Sequence, residues 1–401
     1  MNICIISLRE NNPLIGGVER VSFELGNYWH HCGHKVIFLS RYCSGLAEGY
    51  ESGCEEYFLP DSDVADTKRN EDYTVHLLKS KTIDYVINQG SVFEDLCQLC
   101  YKVKQRLPIR LITAIHYDPL CRIKALETSF FIRERLGGSL RLWMIDFLLY
   151  LRYQLVGRGK ALENEKRAFL TVAQNSDAVV LLSGAFLGDA LSLTRGRYEN
   201  KFYAIPNPIS KQTDNGSVLS KKKQIIYVGR IEFGMKRTDR MLSIWRKLES
   251  KHPDWICKII GDGGIKKSLE NTAQKYRLKN LCFEGFQNPE KYYAESEILC
   301  MTSTTEGFGM VLIEALQYKC IPVAYRSYAS LDDIVIDGVN GCTIAPFDEN
   351  EYVRRLDALM SSEEECERLA SNNGITLGKF DIDRVSEMWI DLFSKLEVEK
   401  R

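Results

Sequence analysis

Ile298-Leu299-Cys300-Met301-Thr302-Ser303-Thr304-Thr305-Glu306-Gly307-Phe308-Gly309-Met310-Val311-Leu312-Ile313-Glu314 opens on an apolar run, breaks on hydroxyls and two glycines, and closes on a second apolar run. The first run reads as a buried strand over 298–302, and the second as a helix that continues through Ala315 and Leu316. A strand that turns through glycine directly into a helix is one βα step of a parallel sheet. On one continuous helix Glu306 and Glu314 would lie about 12 Å apart along the axis, too far to share one small group. If Glu306 stays in the loop and the helix starts near Gly309, the first-turn amides of Gly309, Met310 and Val311 face outward, where an anion fits. The other reading leaves the segment as a plain strand-to-helix turn with a glutamate facing the helix dipole.

Outward from this junction the same alternation fills the chain. Strands are expected at 2–8, 35–39, 84–88, 110–115 and 178–182, and again at 224–228, 255–260, 281–283 and 321–324, with helical stretches between them. The pattern breaks over 206–223 into a polar, turn-rich stretch. The 401 residues therefore divide into a domain over 1–205, a linker over 206–223 and a domain over 224–375. The tail 376–401 carries Val385, Met388, Trp389, Leu392, Phe393 and Leu396 at helical spacing. It reads either as the final helix of the second domain or as one that packs back on the first. The fold class is α/β, with two doubly wound Rossmann-like domains.

Lys and Arg total 53 and Asp and Glu 54, for a net charge of -1, so no global field gathers nucleic acid. Thirteen scattered cysteines, with a strand-like Ile3-Cys4-Ile5-Ile6 at the start in place of a signal peptide, suggest reduced cytoplasmic thiols. Cys97 and Cys100 have half the spacing of a zinc site, but no second pair matches them, and they are read as core thiols. No apolar run is long enough to span a bilayer.

Four further places carry candidate chemistry. Gly229-Arg230, with Lys236 beyond, ends a strand where open α/β sheets bind ligands, and the two cations could clamp a diphosphate. Gly16-Gly17 precede a helix that begins near Val18, and lack the spacing of a dinucleotide fingerprint. His116 ends an apolar strand, as a ligand-facing group or a turn histidine bonded to backbone. Gly261-Asp262-Gly263-Gly264 ends another strand and reads as a turn.

In joint order and spacing, these residues resemble the retaining family-4 glycosyltransferases of the GT-B fold over nearly the whole chain. The resemblance implies two facing domains with the active site in the cleft between them, the first binding acceptor and the second binding donor. It implies that Arg230 and Lys236 hold the diphosphate of a nucleotide-sugar, taken as a UDP-sugar, and that Glu314 binds ribose. Glu306 would touch the transferred sugar and Gly307-Phe308-Gly309-Met310-Val311 would cradle phosphate and sugar. His116 would face that sugar, Gly16-Gly17 would close over the phosphate, and Phe286 would lie near the nucleobase. Many relatives have glycine after the lysine, where this chain has Arg237; the version here is similar to bacterial surface-polysaccharide enzymes. Catalytic roles fall to Glu306, Arg230, Lys236 and His116, with no cofactor and no metal.

The expected reaction moves a hexose or N-acetylhexosamine to a saccharide or lipid-linked saccharide in polysaccharide, O-antigen or lipopolysaccharide synthesis. Alternatives are a nucleotide-sugar epimerase, a phosphorylase, or a non-catalytic two-lobed sugar-binding protein. Asp61-Ser62-Asp63 and Asp381-Ile382-Asp383 could suit a metal-dependent class, but read as a surface loop and a helix start. Residues 121–170 hold ten Lys/Arg against five Asp/Glu among apolar and aromatic residues, which suggests peripheral contact with an anionic membrane, on the inner face of the cell membrane.

Overall fold

Strands buried on both faces of a parallel sheet need apolar residues at every position, and the apolar runs fold accordingly. The computed structural model describes residues 1–43, 45, 50–90, 92, 95–124, 140–209 and 220–398. In chain order the strands are β1 (Asn2–Arg9), β2 (Lys35–Tyr42), β3 (Glu55–Phe58), β4 (Tyr85–Asn88), β5 (Arg110–Ile115), β6 (Ala178–Leu181) and β7 (Phe202–Ala204). They continue with β8 (Lys222–Val228), β9 (Ile256–Ile260), β10 (Leu281–Gly285), β11 (Ser296–Met301), β12 (Ile321–Tyr325) and β13 (Cys342–Ile344).

Two parallel sheets result, in the orders β3-β2-β1-β4-β5-β6-β7 and β10-β9-β8-β11-β12-β13. Each is doubly wound, and the order reverses between β1 and β4 in one and between β8 and β11 in the other. The α/β, Rossmann-like class expected from the alternation is the one observed. The strands β3, β7 and β13 were not expected; each is three or four residues long and lies at or beside a sheet edge. β8 starts at Lys222, inside the stretch assigned to the linker, and residues 210–219 of that linker lie outside the described residues.

The chain divides into two compact units. The first comprises Met1–Pro119, Glu163–Lys211 and Lys379–Arg401, and the second Leu120–Leu162 and Gln212–Gly378. Residues 120–162, expected in the domain over 1–205, thus group with the second unit.

In the first unit the alternation along β1 sorts side chains to opposite faces. Ile3 and Ile5 pack with the helix Gly17–His31, while Cys4 and Ile6 pack with the helices Lys68–Ser80 and Asp95–Arg106. The first of these cores also holds Val385, Trp389, Leu392, Phe393 and Leu396 of the helix Ile382–Val398. Trp29 meets Trp389 edge-on at 5.9 Å and its indole N–H donates to Ser386 at 2.9 Å. Cys97 and Cys100 are buried in the second core, where burial pushes the Cys100 thiol well above its usual range. In the second unit one core forms around Trp245, Tyr325 and Tyr352.

Candidate functional site

The reversal point of a doubly wound sheet leaves a crevice at the carboxyl ends of the two strands that flank it. In the second unit those strands are β8 and β11, and the loops that follow them carry Gly229 to Lys236 and Thr302 to Glu306. Backbone and hydroxyl bonds lace the two loops together. The Thr304 N–H donates to the Met235 carbonyl at 2.7 Å, and the Thr302 hydroxyl donates to the Arg237 carbonyl at 2.9 Å. This lacing brings Lys236 and Glu306 into contact across 70 residues of sequence. Lys236 Nζ donates to Glu306 Oε1 at 2.7 Å and to Oε2 at 2.9 Å, while the Ser303 hydroxyl donates to Oε1 at 2.6 Å. The two side chains are only 21% and 10% exposed, so solvent screens the pair weakly. Cation and carboxylate, expected on different parts of a ligand, are partners of each other here.

Arg230 stands apart from that pair. Its side chain is 65% exposed, 3.7 Å from Glu232, and its carbonyl accepts hydrogen bonds from the Tyr227 and Thr238 hydroxyls. The backbone is pinned, and the guanidinium is exposed beside Glu232. The neighbouring strand ends lock the same loop. The Gly229 N–H donates to the Ile260 carbonyl and the Ile231 N–H to the Asp262 carbonyl. A Cβ on Gly261 would lie 2.0 Å from the Gly229 oxygen, and one on Gly263 would lie 2.2 Å from the Ile231 oxygen. The sequence Gly261-Asp262-Gly263 is therefore more than a turn; it is a close backbone approach that sets the position of the Arg230 loop.

Glu306 lies in the loop, and the helix Met310–Gln317 starts where expected, with Gly309 at its N-cap in left-handed geometry (φ 96°). No side chain caps this helix, whereas Thr67, Asp348 and Ser362 cap others in the molecule. The Leu312 N–H donates to the Gly309 carbonyl at 2.9 Å, and the Met310 and Val311 amides ahead of it receive no side-chain cap. Phe308 is buried, Gly307, Met310 and Val311 are half-buried, and Glu314 lies on the helix's buried side, where Tyr293 donates to its Oε2 at 2.7 Å. Phe286, just past β10, is 75% exposed.

Gly16, Gly17 and His116 belong to the first unit. Gly16 caps the helix Gly17–His31 without a side-chain bond, and a Cβ on Gly17 would meet nothing. His116 follows β5 with its Nε2 bonded to Gln89 Oε1, and burial holds its pKa down to about 4, so the ring is neutral at pH 7. The two Asp-x-Asp strings carry structural bonds. Asp61 accepts from Thr67 and Arg69, and Asp383 accepts from Tyr28. Sequence reasoning missed Ser303, Tyr293 and Gln89; a hydroxyl or amide beside a strand end carries no pattern that marks it.

No helix among the described residues is long and apolar enough to cross a membrane. Residues 210–374 match the family described as "Glycosyl transferases group 1". The chain is 26% identical over 377 residues to an "Uncharacterized glycosyltransferase" of Haemophilus influenzae, covering 93% of this chain and 95% of that one. It is 21% identical over 213 residues to the "GalNAc-alpha-(1->4)-GalNAc-alpha-(1->3)-diNAcBac-PP-undecaprenol alpha-1,4-N-acetyl-D-galactosaminyltransferase" of Campylobacter jejuni, covering 53% of this chain and 59% of that one. Among solved structures it shares the fold of Anabaena Alr3699/HepE, a structure in complex with UDP and glucose, with a TM-score of 0.73 at 14% identity over 98% of this chain and all of that one.

Proposed function

We propose, from the match of residues 210–374 to the glycosyl transferases group 1, that the chain is a retaining, metal-independent glycosyltransferase that uses a UDP-sugar. The sugar is a hexose or N-acetylhexosamine, and the acceptor a saccharide or lipid-linked saccharide of bacterial surface polysaccharide. One observation carries the reading: a lysine–glutamate pair held beside an uncapped helix N-terminus at the reversal point of the second sheet. The UDP and glucose in Alr3699/HepE, and the undecaprenol-linked acceptor in the Campylobacter enzyme's name, support the choice of donor and acceptor.

When the donor binds, its diphosphate draws Lys236 away from Glu306, and the freed carboxylate accepts from the sugar hydroxyls. As the bond between C1 and the diphosphate breaks, negative charge grows on the leaving phosphate. Arg230, Lys236 and the amides of 309–311 stabilise that charge more than the ground state. The acceptor hydroxyl enters on the leaving group's face and its proton passes to a phosphate oxygen. As the resemblance implies, Glu314 is assigned to the ribose, Phe286 to the base, His116 to the transferred sugar and Gly16-Gly17 to the phosphate.

Lys236→Ala is expected to weaken UDP-sugar binding about 10- to 100-fold by calorimetry, the worth of one charge-assisted contact. Unimpaired transfer by a Lys236→Ala, Glu306→Ala double variant would sink the assignment of the site. Activity is expected to survive EDTA; loss that Mn²⁺ restores would overturn the metal-independent mechanism.

A lipid-linked acceptor requires access to a bilayer, and the described residues 140–162 of the basic segment 121–170 offer a surface for it. Residues 125–139 of that segment lie outside the described residues. Along the helix Leu140–Arg152 and the π-turn Tyr153–Gly157, Phe147, Leu148, Leu149, Leu155 and Val156 are exposed. From residue 147 to 162 the chain has no acidic residue and three exposed cations, Arg152, Arg158 and Lys160. Exposed apolar side chains among cations suit an anionic interface. Flotation with anionic vesicles is expected, and loss of it in Leu148→Glu, Leu155→Glu; protein that stays out of the vesicle fraction argues against the contact.

A further inference from the structure

Gln89 directly follows β4 and His116 directly follows β5, and the two strands pair in parallel with Asn88 opposite Thr113. Both side chains therefore stand at adjacent strand ends, next to the reversal point between β1 and β4. The amide oxygen of Gln89 meets His116 Nε2. An amide oxygen carries no proton, so the proton of that bond must sit on Nε2. A neutral imidazole has one N–H, which leaves Nδ1 bare, and Nδ1 is buried without a partner among the described residues. A buried acceptor with no donor costs free energy unless something supplies one.

Gln89 is itself held in place. It is buried, its backbone N–H donates to the Ile6 carbonyl at 2.9 Å, and the following Gly90 N–H donates to Asn88 Oδ1 at 2.9 Å. The turn after β4 thus ties the Gln89 backbone to the end of β1, and burial holds its side chain against His116.

We propose that Gln89 is a positioning residue that locks His116 in the Nε2–H tautomer, keeping Nδ1 as a hydrogen-bond acceptor for a hydroxyl of the transferred sugar. This rests on the assignment of His116 to the donor sugar. Burial keeps the ring uncharged at working pH, and a neutral acceptor can bond a hydroxyl that an imidazolium could not accept from. The choice of tautomer then decides whether His116 accepts from the sugar or presents a second donor to it.

Nitrogen NMR of the ligand-free protein, labelled at histidine, reads the tautomer without any turnover. At pH 7 the His116 Nδ1 is expected to be pyridine-like and Nε2 to carry the proton. In Gln89→Met, which keeps the volume but lacks the oxygen, the signals should shift toward a tautomer mixture. In Gln89→Glu, which keeps an oxygen acceptor, the Nε2–H form should persist. With a UDP-sugar and acceptor, Gln89→Met should lower kcat about five- to ten-fold with the donor KM changed less than about two-fold, the scale of one neutral hydrogen bond. A proton on Nδ1 in the parent protein, or an unchanged tautomer in Gln89→Met, overturns the positioning role. A shifted tautomer with kcat intact overturns the assignment of Nδ1 to the sugar. Absence of transfer by the parent protein would instead overturn the functional reading, while the tautomer measurement stands.

Discussion

Arg237 occupies a backbone position that suits another residue. It caps the helix Thr238–Leu248 at φ 48°, in left-handed geometry, where glycine is unstrained and an arginine costs about 1 to 2 kcal/mol. Many members of the family that the chain resembles have that glycine after the lysine. Here the strain is offset by a two-pronged pair, Nε to Asp239 Oδ1 and Nη2 to Oδ2, both at 2.8 Å, between side chains only 4% and 9% exposed. Removing one member of such a pair strands the other as a buried charge, at about 3 to 5 kcal/mol. Arg237→Gly is therefore expected to destabilise the protein by roughly 2 to 3 kcal/mol in spite of relieving the backbone, and Asp239→Ala on top of it to recover most of the loss. A thermal-melt cycle over the four forms checks this; an Arg237→Gly single variant that melts above the parent would show that the pair contributes less than the strain. The departure from the family's pattern, visible in the sequence as a missing glycine, is thus a second way of holding the same turn beside Lys236.

At the scale of elements, what could be read from the sequence follows burial. β1, β5, β8 and β12 are buried over most of their lengths, so each carries a short apolar run, broken by Ser7 in β1 and Thr113 in β5 and preceded by Lys222 to Gln224 in β8, and each is expected within a few residues of its observed bounds. β3, β7 and β13 are too short for periodicity to separate them from loops; Glu55–Phe58 pairs along one side only and its side chains stay partly exposed. The helix start after Gly309 was legible because glycine and an apolar run bracket it. The Lys236–Glu306 pair was not, since it depends on two loops meeting far apart in sequence. The same holds for Gly261 and Gly263, whose spacing suggests a turn, while their close approach to the Gly229–Ile231 backbone depends on the fold. Gly263→Ala tests that contact without a φ penalty. Its methyl must push the Ile231 carbonyl, so the Arg230 loop moves while the core around Trp245 stays filled. The expected result is a donor KM raised about 10- to 100-fold, as small misplacements of charge-bearing groups cost, with far-ultraviolet circular dichroism unchanged. An unaltered KM would mean that this approach does not set the loop.

Over the whole molecule, the chain completes its first unit only after traversing the second. β1 and the helix Gly17–His31 come early, yet the core that they share is closed by Val385, Trp389, Leu392, Phe393 and Leu396. Polar contacts make the closure specific: Trp29 donates to Ser386, Tyr28 to Asp383 and the Tyr85 hydroxyl to the Phe393 carbonyl. The apolar stripe of this helix was plain in the sequence, but periodicity says only that a stripe needs a partner, and two domains offered one. Until residues 382–398 are present, one face of the first sheet lacks a whole helix, so that sheet is expected to finish folding last even though its strands are made first. Trp389→Ala isolates the contribution. It removes a buried ring that packs edge-on to Trp29 and at 6.0 Å from Phe393, and truncations of this kind cost about 3 to 5 kcal/mol. Because the second unit's core contains none of these residues, the loss should fall on the first unit alone. Hydrogen exchange should then quicken for the amides of β1, β2 and β4 while those of β8, β9 and β11 keep their protection. Equal loss of protection in both sheets would show that the two units open together, and that the helix stabilises the molecule as one cooperative body.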